Sequence, residues 1–265
     1  MKEIYHRAIE ILTDRCYGNR LDKVEYLSEV ELSDDAIGSQ NCPDYPIVSL
    51  FISHLYQKVE ATTNYIEKFN FYNLWLWHVS LLLTSIRAVE GAPGKFNQIN
   101  LSKGFAWISD KEERVSAKSP RLVPVCTFLV EAIKNFLDYL RRFVRQFGRL
   151  NLKLKLEVDK VFSSERPLLN YIDKQGALQS LRPAIISKEL GDNFRFKVDW
   201  TRHVGQRFLH EQGVDEAIIL AIFGHEMMGQ EAWRKHSSLS IGDILSPRDD
   251  YQQLATKLKL KQVIS

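Results

Sequence analysis

Along most of this chain, apolar residues recur at the three-to-four-residue spacing of helices that bury one face. Residues 1–16 read as a short amphipathic helix with Ile4, Ala8, Ile11 and Leu12 on one side. Residues 17–43 are polar and rich in turn formers, a connector. From Tyr45 the helical period returns through Ile47, Leu50, Phe51, His54 and Leu55. A denser apolar helix is predicted from about Asn70 to Val89, stopped by Gly91-Ala92-Pro93-Gly94. The pattern then alternates. Residues 96–101, 104–109 and 121–125 read as three short strands, with Pro124 expected at an edge or a strand end. Helical spacing resumes over Thr127–Phe147, and residues 150–198 are mixed, with a short helix between Ser180 and Gly191. Trp200–Gln212 reads as a helix ended by Gly213. Asp215 then caps a helix over Glu216–Phe223, ended by Gly224, and a last helix is expected near Tyr251–Lys259. The resulting class is α+β, mainly α, with a small three-stranded antiparallel sheet.

Composition narrows the class further. With 265 residues, the chain can build one substantial core, or one core plus a small appendage. A net charge of +3 is mildly basic and does not point to nucleic acid without a local basic face. Three cysteines with no CxxC pair, Cys16, Cys42 and Cys126, argue against a disulfide framework or a cysteine-based zinc site. The first residues carry charges where a secretory signal needs an apolar core, and the apolar window from Leu74 to Ile86 is too short to span a bilayer. A soluble, cytoplasmic protein is the expectation.

Three familiar chemistries find no support. Gly91–Gly94 is a turn and not a phosphate loop, since no Gly-Lys-Ser/Thr follows. His225-Glu226-Met227-Met228-Gly229 lacks the second histidine of a zinc protease. His203 and His210 stand two turns apart, too far to share a metal on one helix. What remains is an ordered set of cationic and acidic residues: Arg87 in Ser85-Ile86-Arg87-Ala88-Val89-Glu90, Lys111 and Lys118 between the second and third strands, Asp199 and Arg202 at a helix start, and His225 after Gly224. Arginine forks suit the non-bridging oxygens of a phosphodiester, being planar and permanently charged. Each residue also has a plain structural meaning. Arg87 would then be a helix-end charge, Glu90 a surface acid, Lys111 an exposed hairpin lysine, and Arg141, Arg142, Arg145 and Arg149 a solvated stripe. Trp200, Val204 and Phe208 recur at helical spacing and belong to a core.

Over roughly residues 45–240, the order of these motifs resembles the catalytic domain of the tyrosine recombinases, or phage integrases. The resemblance implies the DNA breaking–rejoining fold over residues 44–265, with residues 1–43 as an N-terminal helix and connector. Residues 1–40 are too short for the DNA-clamping helical domain that such proteins usually carry, so a fragment or a reduced member is expected. In that family Arg87 and Arg202 would hold the phosphate, Glu90 would orient Arg87, and Lys111 would be the general acid, with Lys118 as its substitute. His225 would hydrogen-bond the scissile phosphate; beside that set, Arg141 and Arg145 of the basic stripe, with Lys118, are expected to contact DNA. Two positions depart from the pattern. Asp199 stands where the family usually carries histidine, and Trp233-Arg234 occupies the place of the nucleophilic tyrosine. The next tyrosine is Tyr251; His236, Ser237 and Ser238 are nearer nucleophilic groups. The implied activity is DNA cleavage and rejoining in integration or recombination of mobile DNA, without metal or cofactor. The implied partners are double-stranded DNA and further copies of the chain, with no membrane and no small-molecule substrate, at a nucleoid-associated location. The alternative is a catalytically dead DNA-binding or assembly protein on the same fold. In a third class, an unrelated helical interaction protein, the matches would be coincidental.

Overall fold

The computed structural model describes residues 42–108, 121–191, 196, 199–224 and 239–264. The expected helix over residues 1–16, the connector up to residue 41, Lys111, Lys118, His225 and residues 226–238 lie outside the described residues.

Helix α1 spans Tyr45–Ala61, and its buried positions Val48, Phe51, Ile52, Leu55 and Val59 form one stripe at helical spacing. Helix α2 spans Tyr65–Leu82, and every residue from Tyr72 to Leu82 is buried. A helix that is apolar all round must be surrounded, and α2 is the centre of the molecule: α1, α3 (Thr127–Phe147) and α6 (Trp200–Glu211) all pack on it. Compared with the predicted 70–89, α2 begins earlier and ends earlier. Asn64 starts it, its side chain accepting from the amides of Ile66 and Glu67. At the other end Ser85 adopts φ of +53°, a left-handed backbone that no helix can continue through. Arg87 therefore sits in a turn beyond the helix, not on its last turn.

Ring pairs fix the relation of α2 to α3. Tyr65 meets Phe147, Phe69 meets Phe143 and Tyr72 meets Phe136, at centroid distances of 5.5, 4.9 and 5.0 Å. The residue numbers rise on one helix as they fall on the other, so the two run antiparallel.

A short 3-10 turn at Phe96–Gln98 leads into β1 (Ile99–Asn100), β2 (Phe105–Ile108) and β3 (Arg121–Pro124). These form an antiparallel sheet in the order β1-β2-β3, as expected from the alternation, with Pro124 ending the edge strand β3 opposite Phe105. In β2, Ala106 and Ile108 point inward and Trp107 is 40% exposed. All four residues of β3 are buried, because α7 (Glu216–Phe223) and α8 (Ile241–Leu245) cover it.

Two elements arise in the stretch that reads as mixed: α4 (Leu152–Phe162) and a hairpin of β4 (Asn170–Ile172) with β5 (Leu178–Ser180). The predicted short helix forms as α5 (Pro183–Leu190). The hairpin docks on α2 through two asparagines. Asn70 exchanges two hydrogen bonds of 2.8 and 2.9 Å with the Ile172 backbone, and Asn73 accepts from Asn170 N at 2.8 Å. The last helix, α9, spans Arg248–Lys257. Its first residue donates to Lys103 O at 2.7 Å and ties α9 to the β1–β2 turn. Among the described residues no helix is long and apolar enough to cross a membrane.

Candidate functional site

The turn after α2 and the start of α6 lie against each other. Ser85 stands opposite Gly205: a Cβ at Gly205 would overlap Ser85 Oγ and crowd Leu82 O at 3.3 Å. Glycine is the only residue that admits this approach. One and a half turns towards the helix start, Asp199 Oδ1 accepts from Ala88 N at 3.1 Å, a bond that spans 111 residues of sequence. The 85–88 turn thus runs antiparallel along the first two turns of α6. Arg87 lies alongside the segment that carries Arg202.

This arrangement assigns Asp199 a different task from the one its position suggests. Its carboxylate does not cap its own helix; it holds the amide next to Arg87. Arg87 is half-buried and Glu90 exposed, and both line a cavity of about 70 Å³ with Gly94, Gln98 and Trp107. The expected helical spacing between Arg87 and Glu90 is absent, because the chain from Ser85 to Val89 is not helical. Glu90 shares the cavity with Arg87 by loop geometry, not by a helix face.

Arg202 points elsewhere. It is only 5% exposed, donates through Nη2 to Phe223 O, and lies 4.7 Å from the centre of the Phe223 ring. A second buried arginine does the same one residue earlier: Arg121, 4% exposed, donates Nε to Ile222 O at 2.7 Å. The last carbonyls of a helix lack partners within it and carry partial negative charge, so two guanidinium groups suit the end of α7. Gly224 follows in the left-handed conformation at φ +63°, and a Cβ there would sit 3.2 Å from Arg121 Nη1. The two arginines grip the corner from which the chain continues to His225.

Tyr251 reaches the same centre from α9. It is fully buried, and its hydroxyl donates to Ser85 Oγ at 2.8 Å. Burial raises the phenol well above its ordinary range, while Ser85, Arg202 and Arg121 pull it partly back. In this arrangement the hydroxyl is committed inside the protein, to Ser85.

Of the predicted site residues that are described, Asp199 holds the amide next to Arg87 and Glu90 lines the cavity with Arg87, while the Arg202 guanidinium turns to the end of α7. Arg141 and Arg145 lie elsewhere. They flank Phe143 in sequence, and its ring packs at a tilt against Phe69 near the start of α2. From Phe69 to Leu82 the helix covers about 20 Å at about 1.5 Å per residue, so the arginine stripe stands at the opposite end of the α2–α3 pair. Arg141 is also engaged there by Asp138 and by the Phe162 ring, 5.8 Å away. Arg121 and Gly205 carry no site expectation from sequence, and Ser85 and Tyr251 enter there only as a residue of the Arg87 motif and as the next tyrosine after His225, not as partners of each other. An arginine opening an otherwise apolar strand is the one signal that marks Arg121. Comparison with protein-family models, curated proteins and solved structures finds no match.

Proposed function

We propose that this chain is a DNA-binding domain of tyrosine-recombinase type, which grips duplex DNA by a backbone phosphate beside Arg87. Its process would be integration or recombination of mobile DNA, carried out with further copies of the chain on the DNA. The observation that carries the reading is the Ala88–Asp199 bond, which joins the two arginine motifs across 111 residues. Motifs that matched by chance would have no reason to share a junction. Arg87 supplies the reachable cation of the pair. Arg202 and Arg121 supply rigidity at the α7 corner.

Between a strand-cleaving enzyme and a binding protein on the same architecture, Tyr251 favours the second. No tyrosine lies between His225 and Tyr251, and the Tyr251 hydroxyl is turned into the core against Ser85. The domain then holds DNA without itself forming a covalent link to it.

Fluorescence anisotropy with a labelled mixed-sequence duplex tests this. The full chain should bind with strong salt dependence. Arg87→Ala should lower affinity roughly tenfold and reduce the log–log salt slope by about 0.9, the value of one phosphate contact. Arg145→Ala should cost much less. Binding that ignores salt, or equal losses for Arg87→Ala and Arg145→Ala, would refute the phosphate grip. A covalent adduct trapped on a nicked suicide duplex would refute the binding-protein form.

A further inference from the structure

We infer that Tyr251 is a positioning residue for Arg87: its hydroxyl, donated to Ser85 Oγ at 2.8 Å, holds one end of the turn on which Arg87 is mounted. The inference rests on the proposed phosphate grip for its consequence, though not for its geometry.

The turn needs an outside hold. Ser85 keeps one helical bond, from its amide to Leu81 O at 2.9 Å, and then departs at φ +53°, a conformation that side-chain-bearing residues rarely adopt. Such a backbone persists only where its surroundings over-determine it. Here the Ser85 side chain is seated in the notch left by Gly205 and bonded by Tyr251. At the far end of the turn, Ala88 N is held by Asp199 Oδ1 at 3.1 Å. Arg87 lies between the two fixed points. Its backbone is thereby bracketed by contacts from α6 and α9, elements that begin more than a hundred residues later.

A strut works only if its own base is rigid. Helix α9 is anchored on both sides of Tyr251. Arg248 donates to Lys103 O at 2.7 Å and Gly104 O at 3.2 Å, and Gln252 Oε1 accepts from Phe128 N at 2.8 Å. The phenol therefore stands on a helix tied to both the β1–β2 turn and the start of α3. Tyrosine has few internal rotations, so a buried ring with a fixed base delivers its hydroxyl to one place.

Tyr251→Phe removes the strut's contact and leaves the ring. Amide exchange of residues 85–89 should accelerate roughly 3- to 10-fold, the range expected for one lost hydrogen bond, while the amides of Leu129–Leu140 keep their rates. Duplex affinity should fall by a similar factor, with the salt slope moving towards that of Arg87→Ala. In an Arg87→Ala background, Tyr251→Phe should have almost no further effect on affinity. Merely lowered stability would not produce that loss of additivity. Ser85→Ala deletes the same bond from the other side and should reproduce the pattern. Unchanged exchange at 85–89 in both variants would overturn the strut. Losses that simply multiply with Arg87→Ala would overturn its coupling to Arg87. If the unmodified chain fails to bind duplex, the phosphate grip falls, and the exchange measurement alone still decides whether Tyr251 holds the turn.

Discussion

Arg202 and Asp199 show how far a side chain's surroundings set its meaning. Arg202 stands where a phosphate-binding arginine is expected, yet its guanidinium is buried and donates to the end of α7. Asp199 stands where a histidine is expected, and uses its charge to hold the Ala88 amide. Both assist the candidate site from behind. Gly205 has the opposite history: nothing in the local pattern marks it, and it is the residue that lets α6 touch the Ser85 turn. Gly205→Ala gains helix propensity, by about 1 kcal/mol in an unconstrained helix. Here the added Cβ would overlap Ser85 Oγ, and overpacking of this kind costs about 1–3 kcal/mol. Chemical denaturation should show net destabilisation; a gain in stability would mean that Ser85 moves aside without cost. Arg87, Asp199 and Arg202 could be named from the chain alone because they sit in short ordered motifs. The pairing of Ser85 with Tyr251 could not, because a hydroxyl pair separated by 166 residues leaves no local trace.

Among the elements, the legible ones are those with a clear period. The three strands of the first sheet follow from alternation, and α6 and α7 follow from their glycine endings at Gly213 and Gly224. The β4–β5 hairpin was less legible. Its strands are only three residues each, and the clearest signal is the turn: Asp173 Oδ1 accepts from Gln175 N and Ala177 N, with Gly176 at φ +78°. What stabilises the hairpin comes from another element, since Asn70 on α2 bonds the Ile172 backbone as a neighbouring strand would. Asn70→Ala would leave the Ile172 N–H and C=O without those partners, and each part-buried group left unsatisfied costs about 1–3 kcal/mol. We expect destabilisation in that range, with exchange of the hairpin amides accelerating ahead of those in α2. Uniform acceleration across the protein would count against a separable docking contact.

Taken as one body, the protein is organised around α2, and its stability should depend on pH through that helix. His78 is fully buried, donating Nδ1 to Leu74 O at 2.8 Å and meeting Phe51 edge-on. Loss of hydration lowers its pKa from 6.5 to about 4, the Leu74 bond opposing the shift only in part. Below about pH 6.5 the unfolded chain takes up a proton that the folded chain refuses. The contribution of the neutral ring is therefore complete above the unfolded pKa and declines as pH falls towards 4, by up to about 1.4 kcal/mol per pH unit. His54, also lowered by burial, adds in the same direction. Denaturant midpoints for the wild type should drop more steeply between pH 6.5 and 4 than those of His78→Phe; parallel profiles would exclude His78 as the source.

The order of apolar and polar residues is enough to say that this chain builds mainly helices together with a small antiparallel sheet, because a period of 3.6 or 2 records which face of an element is covered. It does not record what does the covering. That Arg87 leaves α2 on a strained turn, that α6 and α9 close over it, and that Arg202 and Arg121 face a helix end are consequences of long-range packing. Contacts between residues 111 and 166 positions apart form only when the whole chain has closed, and no shorter stretch contains the information to specify them.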